Sequence, residues 1–108
     1  MKTVFVELKG PIPKAAGDVI AERKRQIEQE GFDTFHDDKH GAGTLAAAAI
    51  CYAIDGTRKL RFGVASSGPS CWWPWDKRWW KPRDARRDLV RAAALILAEI
   101  ERIDRGAP

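Results

Sequence analysis

The sequence predicts a mainly α-helical fold: a small three-helix domain with a short β element and an ordered tryptophan-rich loop. Three observations carry that prediction. Residues 85–105 repeat apolar side chains at helical spacing, between a capping aspartate at 84 and a glycine at 106. Residues 44–54 (TLAAAAICYAI) are built largely from alanine, the strongest helix former. All five tryptophans fall between positions 72 and 80, in SCWWPWDKRWWKPR, where Pro74 forbids a regular helix or central strand.

A chain of 108 residues makes one domain with a modest core, divided into an N-terminal strand or arm (1–13) and a helical core (14–105). In the arm, KTVFVELKG alternates like a short strand and ends at Gly10-Pro11. Pro13 suits the start of a first helix over 14–30, which sets Ala16, Val19, Ile20, Arg23 and Ile27 inward. Glu22, Lys24, Arg25, Glu28 and Gln29 then form the polar outer face, and Gly31 is the stop. GFDTFHDDKHGAG reads as a connecting loop, with a helical start near Asp38. The alanine-rich helix should sit centrally, because small side chains let neighbouring backbones approach, and Asp55-Gly56 should close it. Residues 59–65 (KLRFGVA) alternate as a second strand would. In the last helix Leu89, Ala93, Ile96, Ile100 and Ile103 form one stripe, widened by Val90, Leu95 and Leu97, that should face the core.

Nineteen Lys and Arg against fifteen Asp and Glu give a net charge of +4, which allows an anionic ligand without demanding a nucleic-acid surface. The longest apolar runs are too short to span a bilayer, and the two cysteines, Cys51 and Cys71, lack CxxC spacing. A cytoplasmic protein with reduced thiols is the expectation, with no membrane partner.

Three clusters could carry chemistry. In the tryptophan segment, the rings either lid an alanine-rich core or stack on a flat ligand. In the second case Trp75, Trp79 and Trp80 bind the ligand, with Lys81, Arg86 and Arg87 holding phosphate or acidic groups. Such surface on so small a body also predicts a homo-oligomer. The HDDKH loop sets His36 and His40 four apart around Asp37 and Asp38, a spacing that could hold a metal. Helix capping explains it as well, and no metal or other cofactor is assigned. In ERKRQ, Arg23 and Gln26 point inward and need polar partners. Together with Asp37, Asp38 and His40 they make a structural polar cluster, with Asp88 a further candidate partner for Arg23.

ERKRQIEQEGF, HDDKHGAGTLAAAAICYA and WPWDKRWWKPRDARRDLVRAAALILAEIERIDR, taken together over residues 19–105, resemble a widespread, poorly characterised family of small phage and prophage proteins. Where similar sequences carry a GELA-like glutamate, this chain has GAGTLA. The resemblance implies a viral accessory setting in a host cell, and no reaction. A looser likeness is to the all-α MazG-type nucleoside triphosphate pyrophosphohydrolases. These need paired ExxE and ExxD carboxylates, of which this chain has only Glu101-x-x-Asp104 with Glu99 nearby.

The expected function is therefore counter-defence by sequestering a nucleotide-type signalling ligand, with no catalytic residue assigned. The alternatives are a protein-binding inhibitor of a host defence effector, such as a CRISPR complex, and a MazG-like hydrolase using Asp37, Asp38, Glu99 and Asp104.

Overall fold

A computed structural model describes residues 10–30, 39 and 41–107. Among them the protein is mainly helical: α1 (Lys14–Gln29), α2 (Thr44–Phe62) and α3 (Ala85–Asp104), with a single 3₁₀ turn at Lys77–Trp79. The predicted N-terminal strand lies largely outside the described residues, as do His36, Asp37, Asp38, His40 and the Gly31 stop. No strand occurs among the residues described.

Both ends of α3 form as the sequence implies. The Asp84 carboxylate accepts the Arg87 amide at 3.0 Å, Asp88 sits in the positive first turn, and Gly106 adopts φ 77° just past the end. The second helix corrects the reading of 59–65 as a strand. It does not close at Asp55-Gly56 but runs on to Phe62 and ends at Gly63, in the left-handed region at φ 67°. Leu60, Phe62 and Val64 are exposed, and among the described residues no sheet partner collects their side chains. Gly56 is there for contact. A Cβ at this position would lie 3.1 Å from the Ala85 carbonyl oxygen and 3.2 Å from Leu89 Cγ. Gly56→Ala is expected to lower the melting temperature despite alanine's better helix propensity, because a backbone carbonyl cannot yield as a side chain can. A thermal melt decides the sign.

The hub is α3, not the alanine helix: α2 and α1 each pack against α3. Leu45, Ala48, Ala49 and Tyr52 of α2 meet Ala92, Leu95 and Ala98 of α3, the small residues allowing the close approach. The third helix is rotated relative to the expected orientation. Val90 and Leu95 are buried, but so are Asp88, Glu99 and Arg102, whereas Leu89, Ile96, Ile100 and Ile103 face out. The first helix departs from expectation in part: Arg23 and Gln26 face inward as expected, but Glu22 is reversed with Ile20 and Ile27. Its buried residues are Glu22, Arg23 and Gln26, while Ile20 and Ile27 are exposed. This helix docks through charge. Arg23 donates to Glu101 at 2.9 Å, Arg87 to Glu22, and Arg86 lies 2.8 Å from Asp18. Glu22, assigned by sequence to the outer face, is only 2% exposed. Burial pushes its carboxyl up, but the hydrogen bonds and charges of Arg25 and Arg87 outweigh that and hold it low.

No helix among the described residues is long and apolar enough to cross a membrane.

Candidate functional site

The chain between α2 and α3, residues 63–84, carries all the tryptophans, and both of its ends are fixed to one buried charge cluster. Asp55 accepts the Ser66 amide at 2.7 Å, and Asp88 accepts the Arg83 amide at 2.7 Å. Lys59 lies between the two carboxylates, at 2.6 Å from Asp55 and 2.9 Å from Asp88, and also donates to the Arg83 carbonyl. Both aspartates are fully buried. Lys59 reaches Asp55 from one helical turn away, so the clamp exists only because α2 continues past Gly56. Burial and the hydrogen bond shared with Asp55 push Asp88 up. For Asp55, burial is outweighed by the hydrogen bonds from Asp88, Lys59 and the Ser66 amide, which hold it at about 2.

Between these anchored ends the aromatic rings interlock. Trp80 stacks on Tyr52 at 4.6 Å with planes 27° apart, and Trp73 meets Tyr52, Trp75 and Trp80 edge-on at 5.1–5.7 Å. The Trp73 indole nitrogen donates to the Asp76 carbonyl, and the Asp76 carboxylate caps the 3₁₀ turn through the Arg78 amide. The Tyr52 hydroxyl accepts the Lys81 amide at 3.3 Å. Trp73, Trp75 and Trp80 thus lid the core. Trp72 and Trp79 stay more than half exposed.

Beside this lid lies a pocket of about 670 Å³, walled by Tyr52, Trp73, Trp75 and Trp79 and bordered by Lys81, Arg91 and Gln26. Trp79 projects at the rim, with the Arg78 guanidinium 5.3 Å and the Lys81 ammonium 5.8 Å from its ring centroid. Arg91 lies 5.0 Å over the Tyr52 ring and donates to the Lys81 carbonyl, yet its Nε makes no hydrogen bond. The Gln26 amide nitrogen donates to Glu22 at 3.3 Å. That fixes the amide and leaves its buried carbonyl oxygen without a partner at the pocket wall. A buried acceptor left unmade costs about 1–3 kcal/mol, which a bound N–H donor would recover.

The structure brings together Trp75, Trp79 and Lys81 from the expected ligand set. Trp80 packs beneath them on Tyr52. Arg86 and Arg87 are not in this pocket; they line a separate cleft with Asp18, Glu22 and Arg25, where they hold α1 to α3. In the polar cluster, Arg23 and Gln26 are buried as expected, with Arg23 on Glu101, while Asp37, Asp38 and His40 lie outside the described residues. Asp88, the other candidate partner for Arg23, is engaged by Lys59 instead.

Sequence reasoning missed Tyr52 and Arg91. Arg91 follows Arg87 and precedes Leu95 at four-residue spacing, and a cation on a core-facing row needs a purpose. That signal pointed to it, but it depends on knowing which face of α3 is buried.

Of the carboxylates invoked for hydrolysis, Asp37 and Asp38 lie outside the described residues, and the described pair, Glu99 and Asp104, do not converge. Glu99 accepts the Ala46 amide at the N-terminus of α2 and the Arg102 guanidinium, and Asp104 is exposed on another side of α3. Among the described residues no group of three His, Cys, Asp or Glu is placed to hold a metal ion. Cys51 is buried with its sulfur 3.1 Å from the Ser70 hydroxyl, Cys71 is exposed, and both are free thiols.

Fold and pocket define a small helical protein with an aromatic, cation-rimmed cavity on one side. Comparison with protein-family models, with curated proteins and with solved structures gives no match.

Proposed function

We propose that this protein binds and sequesters a nucleotide-type ligand in the tryptophan pocket and performs no chemistry on it. The observation that carries the reading is the coincidence, in one cavity, of an exposed indole, two cations and an unpartnered buried acceptor. A base stacks on Trp79 and Trp75, its exocyclic N–H meets the Gln26 carbonyl, and Lys81 and Arg91 take the phosphate. Glu30 and Asp76 also line the cavity, which favours a ligand with donors as well as negative charge over a bare polyanion. The resemblance to phage and prophage proteins supports a counter-defence role in the host cytoplasm, where removing a signalling nucleotide would silence a defence pathway.

Titration of tryptophan fluorescence with a panel of nucleotides and cyclic dinucleotides tests this. Trp79→Ala is expected to remove about 1–3 kcal/mol of binding with the fold intact. Lys81→Ala weakens binding in a salt-dependent way. Arg86→Ala and Arg87→Ala should lower stability and leave affinity unchanged, since they hold α1 to α3. Fluorescence unchanged across the whole panel, or metal-dependent release of phosphate, would overturn the proposal.

A second reading has one observation in its favour. Trp72 and Trp79 are exposed on the same loop, as anchor residues of a protein interface are. A protein inhibitor of a host defence effector would lose its partner in Trp72→Ala while nucleotides left its fluorescence unchanged.

A further inference from the structure

On the side of α3 turned away from the pocket, Leu89, Ala93, Ile96, Ile100 and Ile103 recur at intervals of four, three, four and three. That is the a/d spacing of a two-helix seam, which keeps one apolar line facing a partner helix along its whole length. The seam is uncharged, and its four large residues are between 37% and 60% exposed. Leu89 rests partly against Gly56 of α2, while Ile96, Ile100 and Ile103 stay 46–60% exposed.

We propose that the seam is the interface of an antiparallel homodimer, α3 against α3 of a second copy, about a two-fold axis passing near Ile96. Charge complementarity decides both occupant and direction. Arg86, which pairs with Asp18 of its own chain yet keeps 57% of its side chain exposed, and Asp104 are eighteen residues apart, five full helical turns, so they flank the seam along the same edge at opposite ends. A two-fold axis perpendicular to antiparallel helices keeps that edge on one side. It brings Arg86 of each copy to within two residues, roughly 3 Å along the axis, of Asp104 of the other. Leu89 then meets Ile103 of the second copy, and Ile96 meets itself. In a parallel pair Arg86 and Asp104 would fall on opposite edges and at opposite ends. The isologous arrangement closes on itself and offers no open filament. Arg91 and Leu95, which line the pocket, project from the other side of α3, so both pockets of the dimer stay open.

Sedimentation equilibrium and cysteine crosslinking test the proposal. The wild-type chain is expected at twice its 12.1 kDa mass. Ile96→Glu and Ile100→Glu should each return it to the monomer with unchanged helical circular dichroism, since both sites are exposed in the single chain. In a Cys71→Ser background, Ile96→Cys should form a disulfide-linked dimer with itself. Leu89→Cys should link not to itself but to Ile103→Cys when the two are mixed. Crosslinking reads the register even if a glutamate variant fails to fold. A wild-type monomer at high concentration would give the face to another protein or to the rest of this chain. A dimer untouched by either glutamate would put the interface elsewhere, and self-linking through Leu89→Cys would make the pair parallel. Each of these results overturns the proposal.

Discussion

Replacing Lys59 with methionine is expected to destabilise the fold by about 3–5 kcal/mol at neutral pH, the cost of breaking a buried ion pair from one side. The substitution keeps an unbranched apolar stem of similar reach and removes the ammonium. Asp55 and Asp88, both fully buried, are then left facing each other, and the two ends of the tryptophan loop lose the charge that joins them. The penalty has a pH signature. Protonation relieves two buried carboxylates, so the gap between variant and wild type should narrow as pH falls toward the carboxylate range. Denaturant melts of both proteins at several pH values measure it, and a gap constant with pH would mean that Lys59 acts through packing alone.

The wild-type protein carries its own version of that dependence. Asp55, held at about 2, lies below its ordinary value of 3.8. It contributes stability that is fully present above 3.8 and is lost as pH falls toward 2. Asp88 is shifted the other way, so its proton uptake in the folded state adds stability as pH falls toward 3.8. Glu22, Asp18 and Asp84 are all shifted down and lose their contribution in the acid range. Stability should therefore hold through weakly acidic pH and fall steeply below about pH 4.

The second large effect is expected at Tyr52. Its ring is the surface on which Trp80 stacks, Trp73 abuts and Arg91 rests, and its hydroxyl accepts the Lys81 amide. Tyr52→Ala should cost about 3–5 kcal/mol, the range for removing a large buried aromatic. It should also abolish the proposed nucleotide binding at temperatures where the variant remains helical, because the pocket loses the support of its indoles. Tyr52→Phe keeps the ring and gives up one hydrogen bond. It should cost only about 1 kcal/mol and bind nearly as the wild type does. Circular dichroism melts separate the two effects from fluorescence titration. Equal loss of binding in both variants would show that the hydroxyl, and not the stacked ring, organises the site.

The sequence by itself determined the local features that neighbouring residues settle among themselves. Asp84 and Gly106 bracket α3, Pro13 opens α1, the alanine run is helical, and the tryptophan segment is an ordered irregular loop. Each of these follows from capping, propensity or missing backbone donors over a few residues. Tertiary structure alone decided which way the helices face. Sequence periodicity located the isoleucine stripe of α3 correctly, but a stripe is buried only if an element packs on it. The opposing row, Asp88, Arg91, Leu95, Glu99 and Arg102, found partners on α1, α2 and the loop instead. Charges that read as a solvated surface became interior once Lys59, Arg87 and the loop amides satisfied them, and their apolar neighbours were left outside. Burial of an ion depends on partners far away in the chain, such as Glu22 and Arg87, 65 positions apart. No local pattern encodes that distance, and the pocket, built from Tyr52, Trp79 and Arg91 on three different segments, depends on it.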